Sequence, residues 1–161
     1  MSEPIRVAVL AGATLATGLV AGLFFAYACS VMPGLAATDG RTLLGAMRSI
    51  NRKIINGWFL SVFLGGPLLV VVAVVGQFGT RGAVFGWLVA ALVCHLVTLG
   101  VTGRCNVPLN NRLDAAGPVD GITDPAAVRQ WFEAPWVRWN LVRTVSSVAA
   151  FACLIGALLA Q

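Results

Sequence analysis

Charge is what this 161-residue chain has least of. Asp, Glu, Lys and Arg make up 11% of it, against about 25% in a soluble domain. Apolar residues make up 58%, so there is too little polar surface to coat a water-soluble globule. The few charges are also segregated: none occurs in 7–38, 54–80, 82–103 or 144–161. A helix needs about 20 apolar residues to cross ~30 Å of hydrocarbon, and these windows meet or closely approach that length. They are too long for core strands. Backbone groups in lipid must be satisfied within their own segment, which leaves helix as the only form for isolated runs.

Other absences narrow the function. The four cysteines, at 29, 94, 105 and 153, form no CxxC pair, which argues against a disulfide framework and against a quinone-linked thiol oxidoreductase. A single histidine, His95, excludes a multi-histidine metal site. Copper held by His95 with Cys94, Cys105, Cys29 or a Met stays open, and there is no strong metal or haem signature. No Asp or Glu falls inside a span, which counts against a proton-coupled transporter. The net charge of +5 comes from ten arginines and one lysine. These flank the spans, where basic residues set orientation, so no nucleic-acid partner is expected.

What is present reads as an all-α, four-helix transmembrane bundle in one domain over 1–161, with spans at about 7–32, 57–77, 83–105 and 136–160. Pro33-Gly34 is expected to stop the first span. Ala26-Tyr27-Ala28 before Cys29 faintly resembles a cleavage site, but the uncharged stretch is long for a signal core, so the span is expected to be retained. Small residues recur every four positions at Ala8, Gly12 and Ala16, and at Gly18, Gly22, Ala26 and Ser30. They suit close packing within the chain or in a homo-oligomer.

Residues 39–56 form an amphipathic segment, with Leu43, Leu44, Met47, Ile50, Ile54 and Ile55 opposite Arg41, Arg48, Arg52 and Lys53. This reads as an interfacial helix between spans one and two. Gly65-Gly66-Pro67 is expected to kink span two. A short turn is expected over 78–82, and a loop over 106–123. Asp124-Pro125 makes a helix start, and Pro135 is expected to break or kink the last helix near its start. Nine of the eleven Lys and Arg residues lie on the first and third loops or their helix ends. The positive-inside rule then puts 33–56 and 106–135 in the cytoplasm and the termini outside. Arginine in place of lysine, with abundant Ala, Gly and Val, points to a bacterial inner membrane.

Three polar clusters stand out against this background. His95, Thr98, Thr102 and Asn106 share a helix face by spacing. An ionisable residue inside a span is a functional candidate, though a lone histidine also serves as an interhelical hydrogen bond. Asn106, Pro108, Asn110, Asn111 and Arg112 concentrate amide donors and acceptors at a span end, where a capped helix end is the plainer reading. Trp136, Trp139, Asn140 and Arg143 fall at spacings of three and four, hence on one expected face. That face is either an aromatic belt with a snorkelling arginine or an aromatic-walled pocket with a fixed cation.

The order Met32-Pro33-Gly34-Leu35, Asn51, NVPLNN at 106–111, then Trp139-Asn140 and Arg143 resembles the anthrone-oxygenase-like family of small four-helix membrane proteins. The resemblance spans nearly the whole chain. Described relatives in polyketide pathways oxidise anthrones to anthraquinones with molecular oxygen. The resemblance implies an oxygen-using oxidoreductase acting on a lipophilic aromatic or polyketide-like molecule. On that reading Trp136 and Trp139 form slot walls, with Asn140, Asn51 and Thr102 also at the substrate. Arg143, Asn106 and Asn110 stabilise an enolate and the peroxide formed from it, and His95 is a further catalytic candidate. No base is obvious, with Asp114 or water as the fallback. The competing readings are a non-catalytic membrane module that binds a lipid, a hydrophobe or a partner protein, and, more weakly, a small exporter.

Overall fold

The computed structural model describes residues 2–77 and 82–161. The turn expected at 78–82 therefore lies, Gly82 apart, outside the described residues. Five helices and a short 3-10 turn at Val119–Gly121 account for nearly all of the described residues. We number the helices α1 (3–36), α2 (40–53), α3 (57–76), α4 (83–115) and α5 (125–159). Four of them, all but α2, are long and apolar enough to cross a membrane. Large apolar side chains face outward along these four: Leu68 is 64% and Leu96 60% exposed. That pattern is costly in water and natural against lipid.

Three of the helix starts carry a side-chain cap. The carboxylate of Asp39 accepts from the Thr42 backbone N–H at 3.1 Å and from the Thr42 hydroxyl at 2.5 Å, opening α2. Those bonds, the hydroxyl's first, hold the Asp39 carboxyl below its usual range. Asn56 accepts from the Phe59 N–H at 3.1 Å to open α3. Asp124 accepts from the Ala127 N–H at 2.9 Å to open α5, with Pro125 in the first turn as its sequence indicated.

Several expected boundaries move outward. α1 does not stop at Pro33. It passes through a π turn at Tyr27–Val31 and resumes as α-helix over Met32–Ala36. α4 likewise runs past Cys105 through a π turn at Thr102–Asn106 and continues over Val107–Ala115, where a loop was expected. Pro33 and Pro108 come directly after their π turns and sit in the first turn of the resumed helix. A proline costs least there, because the widened turn has already released the carbonyl its ring would strike. Pro135 does not break the last helix, which is continuous over Pro125–Leu159. Pro67 is likewise inside α3, which runs unbroken over Gly57–Gly76. Pro135 is carried by packing on both sides, from Phe132 and Trp136, 0% and 3% exposed.

Helix lengths position the site. α1, α4 and α5 hold 34, 33 and 35 residues, and α3 holds 20. At 1.5 Å per residue, α3 is about as long as the hydrocarbon is thick, ~30 Å. The other three exceed it by roughly 20 Å. The surplus of each lies at the basic end. There α2 packs across them, and Met32, Leu43, Leu44, Met47, Leu113, Phe132 and Trp136 form a second apolar core. The charged face of α2 is exposed at Arg41, Arg52 and Lys53 as the amphipathic pattern implied, and its arginines also bond across to residues 114–122. Arg41 donates to the carbonyls of Val119 and Ile122 at 2.7 and 3.2 Å. Arg48 donates to the Gly117 carbonyl and pairs with Asp114 at 3.2 Å, and Arg52 pairs with Asp114 at 2.6 Å. Arg129, held by Glu133 at 2.5 Å, donates to the Thr38 and Ala36 carbonyls at 2.8 Å and so closes the end of α1.

Within the bundle α1 packs on α3 and α5, and α4 packs chiefly on α5. The small-residue rows serve these contacts unevenly. A Cβ at Gly12 would lie 3.4 Å from Leu69, and one at Gly66 3.5 Å from Ala16, whereas Gly22 meets nothing within 4 Å. Thr17, His95, Thr98, Ser146 and Ser147 are all buried and make a polar layer through mid-bundle. Thr17 and His95 join α1 to α4 across it at 3.2 Å.

Candidate functional site

Where α2 hands over to α3, at residues 54–56, the chain bends and a cavity of about 110 Å³ opens. This is the depth at which the short helix α3 begins. Trp58, 89% exposed, marks it on the outside, where tryptophan favours the membrane interface. Both π turns contribute to the lining, through Tyr27 and Thr102. π turns recur at functional sites because the extra residue re-aims side chains that a regular helix would send elsewhere. Phe24, Tyr27, Phe59 and Trp136 wall the cavity with rings, and Ile55 and Val107, 72% and 40% exposed, stand at its rim.

One cation faces this space. Arg143 is 7% exposed, with its guanidinium carbon 4.3 Å from the Phe24 ring centre and 5.4 Å from that of Trp136. An Nη donates to Asn140 Oδ1 at 2.9 Å. Asn140 is fixed in turn by donating to the Phe24 carbonyl at 3.2 Å. No carboxylate pairs with Arg143 among the described residues, and its Nε–H is buried without an acceptor. The Asn51 amide nitrogen, on a residue that also lines the cavity, is likewise buried and unpartnered. Buried polar groups nearly always find partners. Two unanswered donors around one cavity are therefore a request for an acceptor, and an anionic one suits the cation.

The sequence candidates separate here. Asn51, Thr102, Asn110, Trp136 and Arg143 line the cavity. Asn110 Oδ1 accepts from the Trp136 indole N–H at 2.9 Å, which fixes the ring and leaves the Asn110 NH2 unused in that contact. Asn106 stands behind the wall, fully buried. It donates to the Trp136 carbonyl at 3.3 Å, and its own oxygen has no partner. Asn140 positions Arg143 and is not itself part of the lining.

Two candidates lie elsewhere. Trp139 lines a separate groove on the outer face between α4 and α5, so it does not share the inward face of Trp136, Asn140 and Arg143. His95 borders a water-sized space in the mid-bundle polar layer. The Thr17 hydroxyl donates to the Ala13 carbonyl at 2.7 Å, so it accepts from His95 Nε2. His95 thus serves as an interhelical bond. The expected stripe from His95 to Asn106 stays on the inner side of α4, with His95, Thr98 and Asn106 buried and Thr102 lining the cavity, although a π turn spans Thr102–Asn106. Asp114, the fallback base, is held by two arginines away from the cavity. Among the described residues, no three His, Cys, Asp or Glu side chains gather as a metal set.

Sequence reasoning did not find Tyr27, Phe24 or Phe59. Tyr27 stacks obliquely on Trp136 at 5.5 Å and is the only titratable lining residue besides Arg143 among the described residues. Its signal was the π turn, visible only as the Pro33 just beyond it. The family model for anthrone oxygenase matches residues 58–153, well over half of the chain. The chain belongs to the anthrone oxygenase family. No curated protein and no solved structure matches it. The matched stretch supplies Arg143, Asn140, Trp136 and Asn110 to the site, while Phe24, Tyr27 and Asn51 precede it.

Proposed function

We propose that this anthrone oxygenase family member is a membrane-embedded oxidoreductase that uses molecular oxygen on a lipophilic aromatic, polyketide-like molecule. The proposed setting is the bacterial inner membrane, with 33–56 and 106–135 cytoplasmic. The observation that carries the reading is the pair of unanswered donors, Arg143 Nε–H and the Asn51 amide, at a cavity walled by aromatic rings. An anthrone methylene, conjugated through the flanking aromatic rings to the ketone across the central ring, loses a proton to give an extended enolate. Arg143 and Asn51 are placed to receive its oxyanion, and fixed donors at a developing oxyanion are among the largest catalytic effects. The enolate carbon gives its electron pair to O2, forming a C–O bond and, after protonation, a hydroperoxide. Loss of the remaining C–H proton with departure of hydroxide breaks the O–O bond and leaves a ketone and water. The Tyr27 phenol is the titratable lining group available to carry the proton.

Size sets how the substrate enters. About 110 Å³ is well under the ~300 Å³ at which pockets for small molecules begin. A tricyclic ring system therefore inserts the edge bearing its oxygen, while the rest lies between Ile55 and Val107 toward lipid.

The test is oxygen uptake by the detergent-purified chain given an anthrone, with metal analysis and an absorption spectrum of the same sample. The expected result is one O2 consumed per anthrone, with Asn51→Leu lowering kcat/KM by roughly 100-fold, the scale of losing one oxyanion donor. Anthrone conversion no faster than its spontaneous oxidation in the same detergent would sink the enzymatic reading. Saturable binding without conversion would assign the cavity to a non-catalytic hydrophobe-binding module.

A further inference from the structure

The basic end carries more arginine than the fold consumes. Arg41, Arg48, Arg52 and Arg129 are each satisfied by protein oxygens. Arg112 lies over the Trp131 ring at 4.0 Å, and Arg143 belongs to the cavity. Arg104 and Arg138, both exposed, have no carboxylate or carbonyl partner among the described residues. Both stand near Trp139. Arg104 lines the same outer groove as Trp139, and Arg138 lines the neighbouring groove, 5.9 Å from the centre of the Trp139 ring.

That groove has a volume of about 500 Å³ and an aliphatic floor of Val93, Leu96, Val97 and Val101, opened by Gly100. A Cβ on Gly100 would meet nothing within 4 Å, so the space above it is not filled by the protein. From Val93 to Arg104 the helix rises about 16 Å, roughly half of the ~30 Å hydrocarbon thickness. The groove is therefore one leaflet deep, apolar along its length and cationic at its head through Arg104, with Arg138 near the Trp139 ring that borders it, at a tryptophan suited to the headgroup level.

We propose that this groove binds one anionic phospholipid, with its phosphate between Arg104 and Arg138 and one acyl chain along 93–101. Charge complementarity selects the occupant. A zwitterionic lipid fills the same floor, but its own ammonium opposes Arg104 and the nearby Arg138. The site is separate from the Arg143 cavity and does not depend on any catalytic role for it.

The experiment uses the full chain in detergent micelles with phosphatidylglycerol or phosphatidylcholine brominated on the acyl chains, reading tryptophan quenching. The Trp139→Phe protein isolates the contribution of Trp139. Brominated phosphatidylglycerol is expected to quench Trp139 at lower mole fraction than brominated phosphatidylcholine. The preference should shrink about five-fold for each of Arg104→Gln and Arg138→Gln, the scale of one basic residue at an anionic surface. Gly100→Leu adds helix propensity and fills the groove without a protein clash. It is expected to reduce quenching of Trp139 by both lipids while leaving that of the other tryptophans unchanged. Equal quenching by the two lipids, or a preference that survives the double arginine variant, overturns the proposal. So does a Trp139 shielded from both lipids in a protein that sediments as a dimer, because a second copy then occupies the groove.

Discussion

Replacing Arg143 with Met separates a cation kept for a ligand from a cation kept for the fold. In the ligand-free protein the guanidinium is 7% exposed, and burying a charge costs several kcal/mol even after relaxation. Its unpartnered Nε adds about 1–3 kcal/mol. Against this stand one charge-assisted hydrogen bond, to Asn140 at 2.9 Å, worth about 1.5–3 kcal/mol, and two ring contacts, at 4.3 and 5.4 Å, worth about 0.5–2 kcal/mol each. Removing the cation also orphans the Asn140 oxygen, at about 1–3 kcal/mol, while the methionine keeps much of the apolar contact. The two sides are of similar size, so the expected change in stability is close to zero, or a small gain as seen when buried charges give way to apolar side chains. At about 2–4 °C per kcal/mol for a chain of this length, the Tm in detergent should not fall by more than about 4 °C. In the same sample a hydroxyanthraquinone phenolate, which raises the Tm of the parent protein, should no longer do so. A fall of roughly 6–20 °C would refute the reasoning. That corresponds to the ~3–5 kcal/mol lost when a buried charge network is broken and would make Arg143 a structural strut.

Two further substitutions probe the surroundings. His95→Leu should change stability by only about 1 kcal/mol, because the Thr17 hydroxyl keeps its bond to the Ala13 carbonyl, and it should leave anthrone turnover within about two-fold; a loss of turnover at unchanged Tm would return His95 to the chemistry. Arg48→Ala removes donors to the Gly117 carbonyl and to Asp114, and should cost about 2 kcal/mol through release of α2. Hydrogen exchange should then speed up over 40–53 and not in α3, whereas uniform acceleration across the bundle would show that α2 and the spans unfold as one unit.

The number of spans was legible because hydropathy and charge segregation are summed over twenty residues at a time, and no local detail alters the sum. Their ends were not, because proline was read by its commonest meaning. Pro33 looked like a stop, Pro108 fell in an expected loop and Pro135 looked like a break or kink, yet each lies inside a continuous span. For the first two the π turn just upstream removes the conflict, and nothing in the local sequence but the proline itself announces that turn. The stripe on α4 survived the insertion within it: His95, Thr98 and Asn106 are all buried and Thr102 lines the cavity. On α5, which has no π turn, the spacing of Trp136, Asn140 and Arg143 carried through to one inward face, and only Trp139, a third of a turn away, was misassigned. The aromatic residues of α1 could not be placed at all, since their relation to Arg143 crosses more than a hundred residues of chain.

Where the site's parts come from bears on what membership of the family can say about the substrate. The cation, its positioning amide and the indole beside it all come from α5, and the amide that holds the indole comes from α4; all fall within the matched stretch of 58–153. The opposite walls are Phe24 and Tyr27 of α1 and Asn51 and Ile54 at the end of α2, all before it. The proposed oxyanion draws on both groups, through Arg143 of the first and Asn51 of the second, while the shape of the molecule that carries it is judged by the second. Ile54 and Ile55 sit in the bend between α2 and α3 and close the cavity on its exposed side. α2 itself is held to the rest of the molecule by Leu43, Leu44 and Met47, all fully buried in the second apolar core, and by arginine bonds to residues 114–122. The arginine bonds are individually weak, so the apolar contacts carry most of this docking. The cation is thus mounted on the long helix α5, and much of the fit to a particular molecule on α1 and on the bend that follows α2.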